Sequence, residues 1–347
     1  MSLPGREGAQ SRMEFLPHLY GQPRLKRDLS RLMREQRLAH TMIFYGDEGL
    51  GKTTAALDLA GAVTRSGAYG EITAQMEDGA RAKDPAFIGG GDTVWYLRPS
   101  GQELKVDQLR LFLDAMPSFD ERPHVCIIDE AQTMMPAAAN TMLKTLEEPA
   151  ANVYFILITP DLEALLPTIV SRGERFPFFP LSREDYLHLL QDESGKYGVP
   201  SGKEAEAAFL LSEGNPGVTL DMFGEGGAGQ PMAAMDFWDL VSRGRAPFSE
   251  WMEKAPLDRK EFGRMLRWMT WIGRDLMILS EVPGAGAVRC GAVYGREKAA
   301  APCWGGGRAE QALEVLKKAE AARSRYISVK NIWDMILISL IRIREER

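Results

Sequence analysis

The sequence predicts an α/β fold with a parallel sheet, followed by an all-helical second half. Three observations predict it. Short apolar runs alternate with helical periodicity up to about residue 178, which is typical of strands joined by helices. A glycine-rich loop follows one of these runs and an acidic pair follows another. Beyond residue 180 only helical periodicity remains, so the architecture is expected to change there.

The first elements lie between residues 15 and 63. Apolar residues at helical spacing predict a helix before residue 39; they are Leu25, Leu29, Leu32 and Met33. The apolar run Thr41–Tyr45 then predicts a buried strand. The Ala- and Leu-rich segment Thr54–Val63 predicts a second helix. The order is therefore helix, strand, loop, helix.

The loop between this strand and helix, residues 46–53, fits the phosphate-binding pattern G-x-x-x-x-G-K-[ST] at every specified position. Unpaired N–H groups at a helix start attract an anion such as a triphosphate. Lys52 is expected to reach the β- and γ-phosphates, and the Thr53 hydroxyl to hold Mg²⁺. A glycine-rich turn with a chance lysine is the weaker alternative. The predicted ATP-phosphate residues are Gly46, Gly49, Leu50, Gly51, Lys52, Thr53 and Thr54.

The next stretch leads to a second strand pair. Residues 67–91 are rich in Gly and Asp without strong periodicity, and we expect an irregular excursion there. The run Val94–Leu97 predicts a strand. An amphipathic helix is predicted behind it, from Val106, Leu109, Leu113 and Met116.

Two carboxylates follow the apolar run His124–Ile128. Parallel sheets bind ligands beyond the carboxyl ends of their strands. Asp129 is therefore predicted to face the phosphate loop and hold Mg²⁺, and Glu130 to polarise a water for attack on the γ-phosphate. An Asp-Glu pair after a strand is common, so a solvated loop is the alternative. The complete phosphate loop upstream favours the metal and water roles.

A further helix and strand complete the first half. Small and apolar residues from Ala138 to Leu146 predict a helix that stops before Pro149. The run from residue 153 to Thr159 predicts a buried strand. Thr159 at its tip is a weak candidate to sense the γ-phosphate, and a plain strand-ending threonine is nearly as good an interpretation. Arg172 follows a short helix, where an arginine is usually a solvated surface residue.

Composition changes divide the chain into three predicted domains: residues 1–178, 179–226 and 227–347. The second is a small helical unit that ends in a Gly-rich linker at 224–229. Tryptophans among periodic apolar positions predict a helical bundle in the third; they are Trp238, Trp251, Trp268 and Trp271. Residues 282–307 lack a regular period and are expected to form a loop, and residues 309–343 are expected to be helical.

Composition also excludes several classes of protein. A net charge of −6 over 347 residues argues against a surface that coats nucleic acid broadly. The three cysteines are spaced like neither a zinc site nor a disulfide framework, which suits a reducing cytoplasm. The polar start, residues 1–12, has no apolar core and is not expected to be a secretory signal. The late apolar run, residues 332–341, is too short to span a bilayer, and no membrane partner is expected.

With these motifs in place, the sequence resembles the bacterial DNA polymerase III clamp loaders within the AAA+ ATPases, most nearly their delta-prime subunits. The likeness covers most of the chain. Its most specific part is the Leu-Lys-Thr-Leu-Glu-Glu-Pro block at 143–149, because many unrelated NTPases share the phosphate loop. The stretches that carry it are Tyr20-Gly21-Gln22, His40–Thr54, Val125–Gln132, Ala139–Pro149 and Leu166–Arg172.

The resemblance implies an AAA+ core, a helical lid and a C-terminal collar. It also implies that Arg172 serves as an arginine finger in the ATP site of a neighbouring subunit, a role worth on the order of 10³–10⁵ in rate. The family segment is Ser-Arg-Cys, whereas this chain has Gly173 at the third position. We expect this change to be tolerated, because the chemistry belongs to the arginine.

Two departures from the family sharpen the assignment. Bacterial relatives usually carry a four-cysteine zinc module after the phosphate-loop helix, but residues 67–91 contain no cysteine. No zinc is therefore expected. Motor subunits of the family carry a sensor arginine where this chain has Gly217, which favours the delta-prime type. The intact Lys52 and Glu130 support ATP binding and leave hydrolysis by this chain open.

The family reading implies a complex that loads a ring-shaped sliding clamp onto primed DNA at the expense of ATP. The expected partners are other clamp-loader subunits in a hetero-oligomeric ring, the clamp, and primed DNA through the complex. The chain would belong to the DNA polymerase III holoenzyme without polymerase chemistry of its own. The alternative is an ATP-hydrolysing motor subunit of the gamma or tau type. A small-molecule phosphoryl-transfer enzyme is disfavoured, because the helical second half offers no obvious acceptor pocket.

Overall fold

The computed structural model describes most of the chain, in eleven segments. These are residues 15–77, 87–90, 93–99, 103–114, 121–150, 152–193, 203–223, 230–243, 248–285, 293–324 and 327–345. The described residues fall into two compact units. Unit 1 comprises residues up to 189 together with 214–217, and unit 2 comprises 190–213 and 218–347. The division into three domains at residues 178 and 226 stays a prediction.

Unit 1 is built on a six-stranded sheet of order β2-β3-β4-β5-β1-β6. The neighbours from β3 to β6 run parallel, and β2 pairs antiparallel with β3 at one edge. The parallel sheet predicted from the sequence is therefore confirmed. The strands are β1 Thr41–Tyr45, β2 Phe87–Gly90, β3 Val94–Leu97, β4 His124–Ile128, β5 Val153–Thr159 and β6 Glu174–Pro177.

Helices cover both faces of this sheet. They are α1 Pro23–Arg34, α2 Lys52–Thr64, α3 Ala68–Glu77, α4 Val106–Asp114, α5 Pro136–Glu147 and α6 Pro167–Val170. A further helix, α7 Arg183–Asp192, begins in unit 1 and ends in unit 2. Alternate strand residues enter two separate cores because successive side chains point to opposite faces. Phe44 packs on the side of α1, α2 and α3, whereas its neighbour Ile43 packs on the side of α4, α5 and α6.

Unit 2 is helical throughout its described part. Its elements are α8 Lys203–Ser212, α9 Pro216–Phe223, α10 Gln230–Arg243, α11 Phe248–Lys254, α12 Arg259–Glu281, α13 Tyr294–Ala300, a 3₁₀ turn Ala301–Trp304, α14 Arg308–Ser324 and α15 Val329–Glu345. Although α9 begins within the segment assigned to unit 1, its residues from Val218 onward belong to unit 2. A core of tryptophans holds α10 to α15 together, as Trp238, Trp304 and Trp333 are fully buried.

The structure corrects the sequence-based picture at three places: two expectations were wrong, and one strand, β6, was not predicted. An irregular excursion was expected at 67–91, but α3 and β2 lie there, and residues 78–86 and 91 are outside the described residues. Ala68 and Ile72 give α3 a buried face at helical spacing, and β2 gains its conformation by pairing with β3. Residues 174–177 form the edge strand β6, which pairs with β1. An edge strand of four residues has too little periodicity to be recognised by sequence pattern alone.

The third correction concerns the loop predicted at 282–307. Residues 293–304 are helical, and Val293 and Trp304 are buried in the core of unit 2. This element was not predicted because its sequence is rich in Ala and Gly. Val293 and Trp304 anchor it, but they do not form a helical repeat of apolar positions. Residues 286–292 of that prediction lie outside the described residues, as do the linker 224–229 and the start, residues 1–12.

Candidate nucleotide-binding site

The phosphate loop joins β1 to α2 at the carboxyl end of the sheet. Gly46 has a φ of 132°, and a Cβ there would lie 2.5 Å from the carbonyl oxygen of Phe178. Gly49 has a φ of 86°, in the left-handed region that favours glycine. The pattern glycines therefore serve the backbone path of the loop. Gly51, also with a φ of 86°, is the residue that precedes α2.

Lys52 folds back over its own loop. Its ammonium group donates to the carbonyl oxygens of Gly46 at 2.5 Å and Asp47 at 2.6 Å. The side chain is only 6% exposed. Burial lowers the pKa of Lys52, although the charge of Asp129 acts in the opposite direction. The amine is thus held within the loop, where the sequence places the β- and γ-phosphates.

The carboxylate of Asp129 is the centre of the site. Its Oδ2 accepts hydrogen bonds from the hydroxyls of Thr53 at 3.0 Å and Tyr96 at 2.6 Å. Its Oδ1 accepts the backbone N–H of Glu130 at 2.8 Å. Because β4 and β1 are separated only by β5 in the sheet, the ends of both strands meet here. The structure thus brings Thr53 and Asp129 together, and their role in holding Mg²⁺ stays a prediction.

This oxygen pair fits a magnesium ion chemically. Mg²⁺ prefers hard oxygen ligands and is commonly bound through one or two carboxylates together with substrate phosphates. The Thr53 hydroxyl donates its hydrogen bond to Asp129, so its oxygen lone pairs remain available for a cation. Thr53 and Asp129 are therefore the residues of this chain that would hold Mg²⁺ beside a nucleotide.

Glu130 follows Asp129 in a left-handed conformation, with a φ of 52°. A non-glycine residue with this backbone conformation carries strain that often marks a functional turn. Its carboxylate lies 3.4 Å from the guanidinium of Arg98, at the end of β3. Burial and the neighbouring charge of Asp129 raise the pKa of Glu130, and Arg98 opposes this rise. Glu130 therefore stands next to the candidate Mg²⁺ ligands with a cation as its partner.

Thr159 lies fully buried at the end of β5. Its hydroxyl donates to the carbonyl oxygen of Asp161 at 2.7 Å, and the N–H of Asp161 lies 3.2 Å from the same hydroxyl oxygen. These bonds shape the turn after the strand. The contacts of Thr159 support the strand-ending interpretation, and the sensor role stays a prediction.

Arg172 directly follows Ser171, the residue that caps the C-terminal end of α6. Its side chain is one-third exposed. Its guanidinium forms an ion pair with Glu147, the first glutamate of the Glu-Glu-Pro block, and donates to the carbonyl oxygen of Thr168 at 2.7 Å. The neighbouring Gly173 packs against β1, where a Cβ would lie 2.6 Å from Cγ1 of Ile43. Glycine at that position is therefore explained by close packing on the sheet.

Sequence reasoning missed three participants in this site. Tyr96 lies in β3, and Arg98 directly follows it. The sequence predicted this run as a strand without a role in the site. The third is the segment 215–217, whose Asn215 side chain donates to the carbonyl oxygen of Glu48 at 2.8 Å. The proximity of β3 to β4 could have drawn attention to Tyr96. The resemblance pointed to Gly217 only as the place of a missing sensor arginine, and its backbone contact with the loop was not predicted.

Two properties of the described residues concern metals and membranes. Within the described segments, no group of three or more His, Cys, Asp or Glu side chains could hold a metal ion. The expected absence of zinc stays a prediction. None of the helices given above is both long and apolar enough to cross a membrane.

Comparison with known proteins shows that part of this chain is similar to subunits of DNA polymerase III. A family model described as DNA polymerase III, delta subunit, matches residues 21–182. The DNA polymerase III subunit delta' of Bacillus subtilis is 33% identical over 162 residues, which cover 46% of this chain and 48% of the relative. A DNA polymerase III subunit gamma of Buchnera aphidicola is 28% identical over 189 residues, covering 52% and 49% of the two chains.

A solved structure also aligns with most of the chain. It is a DNA polymerase III, gamma subunit-related protein from Thermotoga maritima, with 18% identity and a TM-score of 0.47, and the alignment covers 91% of this chain and 99% of that one. The chain spans about half the length of the curated relatives that it matches. Residues 21–182 are therefore similar to DNA polymerase III subunits of the delta and delta' type.

Proposed function

We propose that this chain is a delta-prime-like subunit of a DNA polymerase III clamp loader. It binds ATP with Mg²⁺ at its phosphate loop and supplies Arg172 to the ATP site of a neighbouring subunit. The complex, a hetero-oligomeric ring in the cytoplasm, uses ATP to place a sliding clamp on primed DNA. The family match over residues 21–182 and the 33% identity to a delta' subunit support this assignment.

One observation carries the nucleotide-binding part of the proposal. Lys52, Thr53 and Asp129 meet at one end of the sheet, and the Thr53 hydroxyl lies 3.0 Å from the Asp129 carboxylate. In this arrangement a phosphate-binding lysine and a pair of oxygen ligands for Mg²⁺ can act on the same triphosphate. The chain thus keeps the groups that ATP binding requires.

A titration of the purified chain with Mg²⁺ and a fluorescent ATP analogue tests this part. We expect saturable binding that is lost, by at least about 100-fold in Kd, in Lys52→Ala, because the ammonium supplies a charge-assisted contact to the phosphates. Lys318→Ala, at an exposed position of α14, is the matched control. Absence of binding in the unmodified chain would remove ATP from the proposal.

The role of Arg172 needs a separate experiment in the assembled ring. Arg172→Ala is expected to leave assembly intact and to lower the DNA-stimulated ATPase rate of the complex several-fold or more, because a guanidinium on the transition-state charge is lost. Arg175→Ala, in the adjacent edge strand β6, is the control. An unchanged ATPase rate in a complete complex would exclude the finger role.

The second candidate function is an ATP-hydrolysing motor subunit. Its support is the presence of Glu130 directly after Asp129 at the end of β4, together with the gamma relative. Glu130→Gln separates the two candidates. In a motor subunit this change stops turnover by the chain, whereas in a delta-prime-like subunit the ATPase rate of the ring depends on Arg172 instead.

A further inference from the structure

A short segment far along the chain packs directly on the phosphate loop. Residues Asn215, Pro216 and Gly217, here called the strap, belong to unit 1 with the sheet, although the residues on either side of 214–217 belong to unit 2. The Asn215 side-chain amide donates to the carbonyl oxygen of Glu48 at 2.8 Å. The backbone N–H of Gly217 donates to the carbonyl oxygen of Gly49 at 3.1 Å.

Asn215 is built into this contact. It is only 7% exposed, and its side-chain oxygen accepts the N–H of Gly217 at 2.9 Å. This is the bond by which an asparagine caps the start of a helix, here α9. One side chain thus fixes the start of α9 with its oxygen and the phosphate loop with its nitrogen.

The strap approaches the loop too closely for any side chain. A Cβ on Gly217 would lie 2.3 Å from the Cα of Gly49, and a Cβ on Gly49 would lie 2.5 Å from the Cα of Gly217. Gly217 lies in the first turn of α9, so its helical backbone conformation does not require glycine. Contact with the loop therefore explains why this position has no side chain.

The two carbonyl bonds set the direction of two peptide planes. In a planar trans peptide the C=O and N–H groups point in opposite directions. The carbonyls of Glu48 and Gly49 point at the strap, so the N–H groups of Gly49 and Leu50 point to the other side of the loop. The carbonyls of Gly46 and Asp47, by contrast, are engaged by Lys52.

We propose that the strap is a positioning element for the nucleotide site: it holds the N–H groups of Gly49 and Leu50 toward the phosphates. This inference rests on the proposed binding of ATP at the loop. Preformed donors bind an anion more tightly because the loop does not have to be ordered on binding. Gly217 therefore contributes through its backbone, at a position without any cationic side chain.

Gly217→Ala is the direct test. Alanine is the best helix former and suits the backbone of α9, but its Cβ must push the loop away. We expect the Kd for a fluorescent ATP analogue with Mg²⁺ to rise about 10-fold, equivalent to about 1.4 kcal/mol. Gly70→Ala in α3 is the matched control, because a Cβ there meets nothing within 4 Å, and its Kd should not change.

Asn215→Asp provides a second, milder test that also covers the case in which Gly217→Ala fails to fold. Aspartate keeps the oxygen that caps α9 but cannot donate to the Glu48 carbonyl, and we expect a several-fold higher Kd. Asn152→Asp is the control, since Asn152 makes the same kind of bond, to the carbonyl oxygen of Glu121 at 2.9 Å. Thermal melting of each variant separates loss of binding from loss of folding.

A spectroscopic measurement distinguishes positioning from a merely structural role. In ¹⁵N-glycine-labelled protein, the Gly49 amide resonance should shift on nucleotide addition, and the shift should shrink in Asn215→Asp. If the wild-type chain binds nucleotide and both strap variants bind it equally well or more tightly, the positioning role is wrong. Tighter binding would mean that the strap shields the loop. Failure of every form, wild type included, to bind nucleotide would overturn the proposed ATP site and the strap inference together.

Discussion

Each unit of the molecule contains a pair of acidic residues that lie close together, and the two pairs differ in their surroundings. At the end of β4, hydroxyl and N–H donors surround Asp129, and Glu130 lies beside Arg98. In unit 2, Asp275 on α12 and Glu297 on α13 are fully buried in a core rich in tryptophan. Burial, then the neighbouring charge of Asp275, raises the pKa of Glu297 to about 8.

The difference shows how the surroundings decide what a carboxylate can do. Hydrogen-bond donors orient the Asp129 carboxylate and Arg98 pairs with Glu130, so the pair in unit 1 is suited to a metal ion and a phosphate. Burial and the charge of Asp275 favour the neutral form of Glu297, so this side chain is mostly a protonated acid near neutral pH. The pair in unit 2 is therefore a structural feature whose charge depends on pH.

The largest expected effect separates the pairs by ligand binding. Asp129→Asn removes the charge next to the Thr53 hydroxyl, and we expect Mg²⁺-dependent binding of the ATP analogue to fall at least about 100-fold, or about 2.8 kcal/mol. Asp275→Asn is the matched control in the other pair and should leave the Kd unchanged. Equal losses in the two variants would show that both act through global stability.

Stability as a function of pH tests the pair in unit 2. The pKa of Glu297 is near 8 in the folded chain and near 4.5 in the unfolded chain. Between these values only the unfolded state releases the proton, so this group makes the free energy of unfolding decrease as pH rises from about 4.5 to 8. Below 4.5 its stabilising contribution is fully present.

Glu297→Gln replaces the protonated acid with a neutral side chain of the same shape. We expect little change near pH 5 and a gain of roughly 2 kcal/mol near pH 9, less than the full shift implies at about 1.4 kcal/mol per pH unit, because a buried amide also needs partners. Urea denaturation at both pH values measures it, with Glu310→Gln on the exposed face of α14 as control. An equal effect at both pH values would contradict the protonation argument.

The sequence predicted the part of the site that local motifs define. Lys52, Thr53 and Asp129 each follow from a loop or strand-end pattern, and the parallel sheet brings them together as expected. Gly173 could be noticed as a departure from the family, but its reason could not be predicted. The reason is the packing of Gly173 against Ile43 of another strand, a contact between residues far apart in the chain.

The rest depended on tertiary contacts that leave no periodic signal. Asn215 and Gly217 lie more than 160 residues beyond the loop that they contact. Trp304 sits in an alanine- and glycine-rich stretch, yet it packs edge-on against Trp238 with ring centroids 4.7 Å apart. Local composition predicts neither contact, because each is specified by the shape of a partner elsewhere in the fold.

Tyr96 offers the smallest and most specific way to test the comparison, because it contacts the Asp129 member of the pair in unit 1 through a single hydroxyl. Its hydroxyl donates to Asp129 at 2.6 Å, and burial together with the charge of Asp129 raises the pKa of Tyr96, so the hydroxyl remains a donor. Tyr96→Phe keeps the buried ring and removes this bond. We expect the free energy of unfolding to fall by about 1 kcal/mol.

The same variant should require about threefold more Mg²⁺ for half-maximal binding of the ATP analogue, because the Asp129 carboxylate is less firmly oriented toward Thr53. Binding without Mg²⁺ should be unchanged. Tyr154→Phe is a suitable control, since Tyr154 is a partly buried tyrosine on β5, two strands away from β3 in the same sheet. If Tyr96→Phe alters binding equally with and without Mg²⁺, the hydroxyl stabilises the strand rather than orienting Asp129. The Thr53 hydroxyl and the Glu130 N–H would then be the groups that orient the Asp129 carboxylate.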